Sequence, residues 1–251
     1  MRECFAHVGS LVLYSGIVTT GVAALTLLWP SLLPVVGPMY AGAAIVVGAI
    51  VAIAALLLPA PLQSVSIPST LLDRHLPQWQ YGEHHELRIH AGPDAVYRAL
   101  RAVTAERIRL FRVLTWIRAP RLSRGPESML CPLPNQPILD VALRSGFVLL
   151  ADEPPGEIAL GAVLAGPGRT GVSSGEFAGL NGPGCVKAAM NFLLVGEEGG
   201  WTRISTETRV HAADATARRR FGIYWRFIFP GSYLIRLMWL QAVKKGVVAP
   251  A

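Results

Sequence analysis

From residue 9 to 29 the chain carries no charged side chain and shows no polar stripe at helical spacing. A second run, 39–58, repeats this in Ala, Val, Ile and Leu. Each run is about as long as the 20 residues a helix needs to cross the hydrocarbon core of a bilayer. Pro30, Pro34, Gly37 and Pro38 supply a short turn between them, and Pro59 and Pro61 stop the second. Trp29 and Tyr40 stand where an interfacial aromatic belt belongs. A secretory signal would be shorter, end at a small-residue cleavage site and lack a second span. A buried soluble hairpin would keep a polar face. The pattern predicts a two-helix transmembrane hairpin within residues 1–62. Small residues (Gly16, Gly21, Ala41, Ala44, Gly48, Ala52) are positioned to let the helices approach closely.

After a linker, 63–77, the periodicity is that of a water-soluble domain, 78–246, with a tail at 247–251. Alternation over 79–90 predicts a strand, with Leu87 and Ile89 opposite Glu86 and Arg88. Pro93 then opens a helix over 94–103, with Asp94 at its positive end. An amphipathic helix is expected over 105–118, an irregular Pro/Ser/Gly-rich excursion over 119–136, and a short helix near 138–144. Two strands, 147–151 and 157–164, flank the turn Glu153-Pro-Pro-Gly156. A glycine-rich loop follows, and 176–180 reads as a further short strand. Strands 186–195 and 201–210 each show one apolar face: Val186, Ala188, Met190, Phe192 and Leu194 on the first, Ile204, Thr206, Thr208 and Val210 on the second. The last helix, 214–229, carries Phe221, Tyr224, Trp225 and Ile228 on one stripe, is kinked or broken by Pro230-Gly231, and continues over 234–243. This order is α+β.

Composition sharpens the division. The chain is 52% hydrophobic and only 16% charged, and between Glu3 and Asp73 there is no Asp, Glu, Lys or Arg. Arg2 precedes the hairpin, Arg74, Arg88, Arg98 and Arg101 follow it, and its turn has no Lys or Arg. The positive-inside bias therefore places both termini and the large domain in the cytoplasm, at the inner or plasma membrane. Cys4, Cys131 and Cys185 are odd in number and widely spaced, as expected of unpaired thiols in a reducing compartment.

Three stretches carry a family resemblance: Ala91-Gly-Pro-Asp94-Ala-Val-Tyr97; Gly146-Phe-Val-Leu-Leu150 with Glu157-Ile-Ala-Leu-Gly161; and Thr206-Glu-Thr-Arg209-Val with Phe221-Gly-Ile-Tyr-Trp225. In pattern and order the domain resembles the START-like, or SRPBCC, superfamily. The resemblance implies a helix-grip fold, an antiparallel sheet wrapped around a long C-terminal helix with a cavity between them for an apolar ligand. Members include lipid-transfer domains and cyclases, and most lack a membrane hairpin. On this basis Phe147, Leu149, Leu160, Met190, Phe192, Thr206, Thr208, Tyr224 and Trp225 are the expected ligand-binding residues.

Chemical motifs are sparse. Gly166-Pro-Gly168-Arg-Thr-Gly171 fits GxGxxG, but the Val172-Ser-Ser-Gly175 that follows does not read as a helix start, so a plain loop is expected. In Glu83-His-His-Glu86, strand parity places Glu83 with His85 and His84 with Glu86, and a solvated edge strand is expected instead of a metal site. Glu207 and Arg209 oppose the apolar stripe, where a salt bridge is ordinary. Arg218, Arg219, Arg220, Arg226, Arg236, Lys244 and Lys245 make the last helix basic, as a membrane-facing or simply solvated surface. No nucleic-acid recognition motif, P-loop, nucleophile elbow or HExxH accompanies them. No cofactor or metal is called for. The expected role is a membrane-anchored, cytoplasm-facing domain that binds a lipid or other apolar small molecule. A cyclase- or hydrolase-like enzyme would need an ionisable group in the cavity, for which His85, Glu207 and Tyr224 are the candidates. A non-catalytic assembly module is the third reading.

Overall fold

The computed structural model describes residues 4–28, 38–58, 60–108, 135–166 and 171–248. They form two compact units: Met1–Pro61 with Gly222–Phe229, and Leu62–Phe221 with Pro230–Ala251. In the first, helices α1 (Cys4–Leu28) and α2 (Pro38–Leu57) form the hairpin. Val8–Leu28 and Tyr40–Leu57 are long and apolar enough to cross a membrane, and only 22% and 17% of their apolar windows are buried. A core helix of a soluble domain would be mostly covered. Here Leu11, Val18, Val22, Ile50 and Ile53 point outward. The helices touch through glycine. A Cβ placed on Gly16 would lie 2.6 Å from the Gly48 carbonyl oxygen and 2.7 Å from Ala52 N. One placed on Gly48 would lie 2.5 Å from Thr20 Oγ1. Backbone meets backbone there, as small-residue helix interfaces require.

The second unit is α+β. Its elements are β1 (Gln63–Ser64), α3 (Leu71–His75), β2 (Gln78–Trp79), β3 (Tyr81–Ile89), α4 (Pro93–Arg101), α5 (Ile138–Arg144), β4 (Val148–Glu153), β5 (Glu157–Ala165), α6 (Ser174–Gly179), β6 (Val186–Glu197), β7 (Trp201–Ala212) and α7 (Ala215–Val248). Strands β3-β7-β6-β5-β4 form one antiparallel sheet in that order. One face carries Ile89, Ile158, Leu160, Met190, Phe192, Leu194 and Ile204. It packs on Val96 and Leu100 of α4, Ile138 and Leu139 of α5, and Trp239, Leu240 and Val243 of α7. Asp214 caps α7, its Oδ1 accepting from Ala217 N at 2.8 Å. The helix continues through Pro230 as one element.

Several expectations change here. The segment 63–77 is folded and is not an open linker: α3 begins at a Thr70–Asp73 capping box, and its Leu71 and Leu72, with Leu76, pack with Ala159 and Ala189 of the second sheet face and Phe177 of α6. That face is therefore covered too. Its polar residues, which alternation marks as solvent-facing, are buried: Glu157, Lys187, Asn191 and Arg209 are each no more than 6% exposed. They are paired instead of solvated. Glu157 accepts from Asn191 Nδ2 at 2.7 Å and from Leu71 N at 2.9 Å. Arg209 Nη1 lies 2.8 Å from Asp73 Oδ1 and its Nε 2.5 Å from Glu207 Oε1, with the guanidinium 4.0 Å from the Trp79 ring centre. Lys187 Nζ donates to the Phe177 and Ala178 carbonyls at the end of α6. The stretch read as a strand at 176–180 lies in α6, fixed by a second capping box, Ser173–Glu176. Beyond the 3-10 turn Ala105–Arg107 and the buried Ile108, the rest of the expected 105–118 helix lies outside the described residues, as does the 119–136 excursion except Asn135 and Gln136.

Burial resists ionisation of Asp73, but the Ser69 backbone N–H and the Arg209 guanidinium outweigh it and hold the carboxyl below its usual range. A carboxylate depressed in the folded state contributes stability that is present above its unfolded pKa and lost as pH falls through the folded one. The melting temperature of the full chain in detergent is accordingly expected to drop below about pH 4. Asp73→Asn should lower stability at neutral pH and flatten that acid limb; an unchanged acid limb in the variant would remove Asp73 as its source.

Candidate functional site

The inward face of β3 carries Tyr81, Glu83, His85, Leu87 and Ile89, because strand parity is two and Ile89 joins the core. The sequence places the Glu83–Glu86 run on a solvated edge, and β3 is indeed an edge strand of the sheet. Only half of the expectation holds. Glu86 is exposed, whereas Glu83 and His85 are 2% and 6% exposed and turn toward α7. Antiparallel register sets Glu83 opposite Thr208 and His85 opposite Thr206 on β7. On β6, Met190 lies opposite Thr208 and Phe192 opposite Thr206.

Helix α7 closes the cluster from above. Ser232 and Arg236, four residues apart, share a helix face. Ser232 Oγ donates to Glu83 Oε1 at 2.6 Å, and Arg236 Nε lies 3.7 Å from the same oxygen. Glu83 Oε2 is 3.6 Å from His85 Nε2, and the His85 ring meets the Tyr233 ring edge-on at 4.5 Å. Arg236 Nη2 reaches Met190 Sδ at 3.1 Å, and its guanidinium is 5.7 Å from the Trp239 ring centre. Trp239 in turn lies 5.0 Å from Phe192. Burial raises the pKa of Glu83, yet the His85 contact, the Arg236 charge and the Ser232 hydroxyl bring it below the ordinary carboxylate value, so it is ionised at neutral pH.

Two buried hydroxyls here, Thr206 Oγ1 and Thr208 Oγ1, have no hydrogen-bond partner, and Glu83 Oε2 and His85 Nε2 face each other at 3.6 Å, beyond hydrogen-bond distance. Buried polar groups are almost always satisfied, and each unmet one costs about 1–3 kcal/mol. Unmet hydroxyls on one strand, opposite a buried carboxylate and imidazole on its neighbour, are an arrangement suited to a ligand's polar end. Among the described residues no group of three or more Asp, Glu, Cys or His stands where it could hold a metal ion.

The structure brings together some of the expected site residues and not others. Thr206 and Thr208 are in the cluster, and Met190 and Phe192 border it. Leu160 belongs to the same packed interface, and Phe147 is half-buried against it. Leu149, which pairs with Leu160 just before a register shift in β4, is 39% exposed. Tyr224 and Trp225 lie in the Gly222–Phe229 segment that belongs with the hairpin unit, the Trp225 ring tilted against Phe229 at 5.9 Å. Of the three acid–base candidates, His85 points inward. Glu207 lies on the opposite face, bound to Arg209. The binding set named from sequence left out Glu83, Ser232 and Arg236. Their spacing, two on a strand and four on a helix, is the signal that could have found them.

The GxGxxG stretch follows β5 and, contrary to the sequence reading, precedes a helix. That helix is six residues long, and its first turn is already occupied: Glu176 Oε2 accepts from Ser173 N at 2.9 Å and from Ser173 Oγ at 2.7 Å. A carboxylate sits where a phosphate would be received. Comparison with known proteins finds no matching family model, no matching curated sequence and no matching solved structure.

Proposed function

We propose that this is a membrane-anchored binding protein whose sheet and C-terminal helix hold an amphipathic small molecule, its polar end on the Glu83–His85–Thr206–Thr208 cluster and its apolar body along Met190 and Phe192. The observation that carries the reading is the pair of buried threonine hydroxyls without a hydrogen-bond partner, set opposite the buried Glu83–His85 pair and beside an apolar wall. The START-like resemblance and the helix-grip arrangement it implies support the same placement of a ligand. Two spanning helices would hold the domain at a bilayer, where such molecules partition, and the arginine asymmetry supports a cytoplasm-facing domain.

Thr206→Val with Thr208→Val tests this through two signs at once. Removing orphaned hydroxyls in favour of near-isosteric methyls should stabilise the delipidated protein by about 1 kcal/mol per site. The same change should abolish the rise in melting temperature that the wild type shows when its own extracted lipids are added back. A wild type whose melting temperature ignores those lipids would overturn the proposal.

The Glu83–His85 contact at 3.6 Å favours one second reading, an acid–base enzyme in which Glu83 orients His85 toward a bound substrate. In that case His85→Gln would eliminate turnover while leaving ligand uptake intact; loss of both together returns His85 to a binding role.

A further inference from the structure

Helix α7 contributes to the hairpin unit as well as to the sheet unit. Within the hairpin unit, Tyr14 Oη donates to the Phe227 carbonyl at 2.9 Å. The Arg226 guanidinium donates to the Leu56 carbonyl at 3.4 Å and also to that of Leu58, so a cation meets the negative end of α2. Its Nε lies 2.9 Å from where a Cβ on Gly9 would stand. Arg226 is thus 6% exposed and is not the surface charge that the basic helix suggests.

These contacts fix a depth. Gly9 and Tyr14 both lie within the apolar span Val8–Leu28. At about 1.5 Å per residue, Tyr14 is about 9 Å along the axis from the span's start. On the segment held at that level, Ile223, Tyr224 and Phe227 are 39%, 38% and 48% exposed, and they share one helical face. Scattered exposed apolar residues need no explanation on a soluble surface. A face continuous with a lipid-exposed hairpin has an occupant, and it is lipid. We propose that Gly222–Phe229 is a third membrane contact, seated in the boundary between headgroups and acyl chains, with Ile223, Tyr224 and Phe227 against the bilayer. Interfacial helices bury their apolar face about 5–10 Å at this boundary, which matches the depth set by Gly9 and Tyr14. Exposed Arg219 and Arg220 precede it in the chain, as expected next to anionic headgroups. The inference rests on the hairpin spanning the membrane, and the test separates the two.

Single cysteines at Ile223, Phe227, Val47 and Glu198 are labelled with bimane in a full-length Cys4→Ser, Cys131→Ser, Cys185→Ala background. The protein is placed in nanodiscs of phosphatidylcholine and phosphatidylglycerol. The expected result is several-fold stronger quenching by nitroxide lipid than by aqueous iodide at 223, 227 and 47, with the reverse at 198. Positions 223 and 227 behaving like 198 while 47 remains lipid-quenched would overturn this inference alone. Position 47 behaving like 198 would overturn the spanning hairpin and the inference with it. Should the cysteine-free background not fold, Phe227→benzoylphenylalanine in the otherwise native chain gives the same decision, lipid photo-adducts being expected and their absence contradicting it.

Discussion

Gly16→Leu is expected to abolish the folded hairpin, so that the purified chain in detergent loses its cooperative unfolding transition. The reason is geometric. The added Cβ alone would sit 2.6 Å from a backbone oxygen and 2.7 Å from a backbone nitrogen of α2, neither of which can rotate aside. Overpacking a well-filled core costs about 1–3 kcal/mol when side chains can adjust. Here the helices themselves must separate, because backbone atoms of α2 stand in the way. Even Gly16→Ala and Gly48→Ala should be damaging. Gly21→Leu and Gly42→Leu are the controls: a Cβ at either meets nothing within 4 Å, so both should leave the transition unchanged. Equal loss at all four glycines would point to insertion or expression as the cause, and equal tolerance would refute the crossing at Gly16 and Gly48.

Glu83→Ala carries the second large effect. It removes the countercharge of a mostly buried Arg236 together with the acceptor of Ser232. Breaking one half of a buried ion pair costs about 3–5 kcal/mol, because the remaining charge stays in a medium that solvates it poorly. Combining Glu83→Gln with Arg236→Met removes both charges and keeps the volume, and should recover most of that loss. The coupling is read as the difference between the double variant and the sum of the singles. Additive effects would mean that Glu83 and Arg236 do not act on each other. The pH dependence has a definite sign. Glu83 is depressed in the folded state, so its contribution is complete above the unfolded carboxylate value, near pH 4.5, and fades as pH falls through the folded one.

Which parts of this protein are legible in its sequence follows from what periodicity encodes. An uninterrupted apolar run can only be buried or bathed in lipid, so the hairpin is visible at once. Period-two alternation assigns each strand residue to a face, and Met190, Phe192, Leu194 and Ile204 of the inward set do join the core, with Thr206 buried beside them. Alternation does not say what covers a face. Asn191 and Arg209 lie opposite the apolar stripe and look solvent-facing, because what covers that face, Leu71 and Asp73 included, comes from a short helix more than a hundred residues earlier in the chain. The same limit hides the site. Glu83 and His85 read as polar edge residues until register sets them against Thr208 and Thr206 and Ser232 descends from α7. Arg226 and Arg236 read as a basic surface because a helical pattern shows direction but not the partner met there. Two capping boxes, Thr70–Asp73 and Ser173–Glu176, were present as spacing and mark helices that propensity alone passes over.

The central claim is that the buried polar cluster between β3, β7 and α7 holds the polar end of a membrane-derived molecule. Native mass spectrometry of the full chain, released from nanodiscs made with total membrane lipid, tests it most directly. The expected spectrum shows a one-to-one small-molecule adduct on the wild type and none on the folded Thr206→Val, Thr208→Val variant. A wild type free of adduct, or an adduct retained equally by the variant, would contradict it.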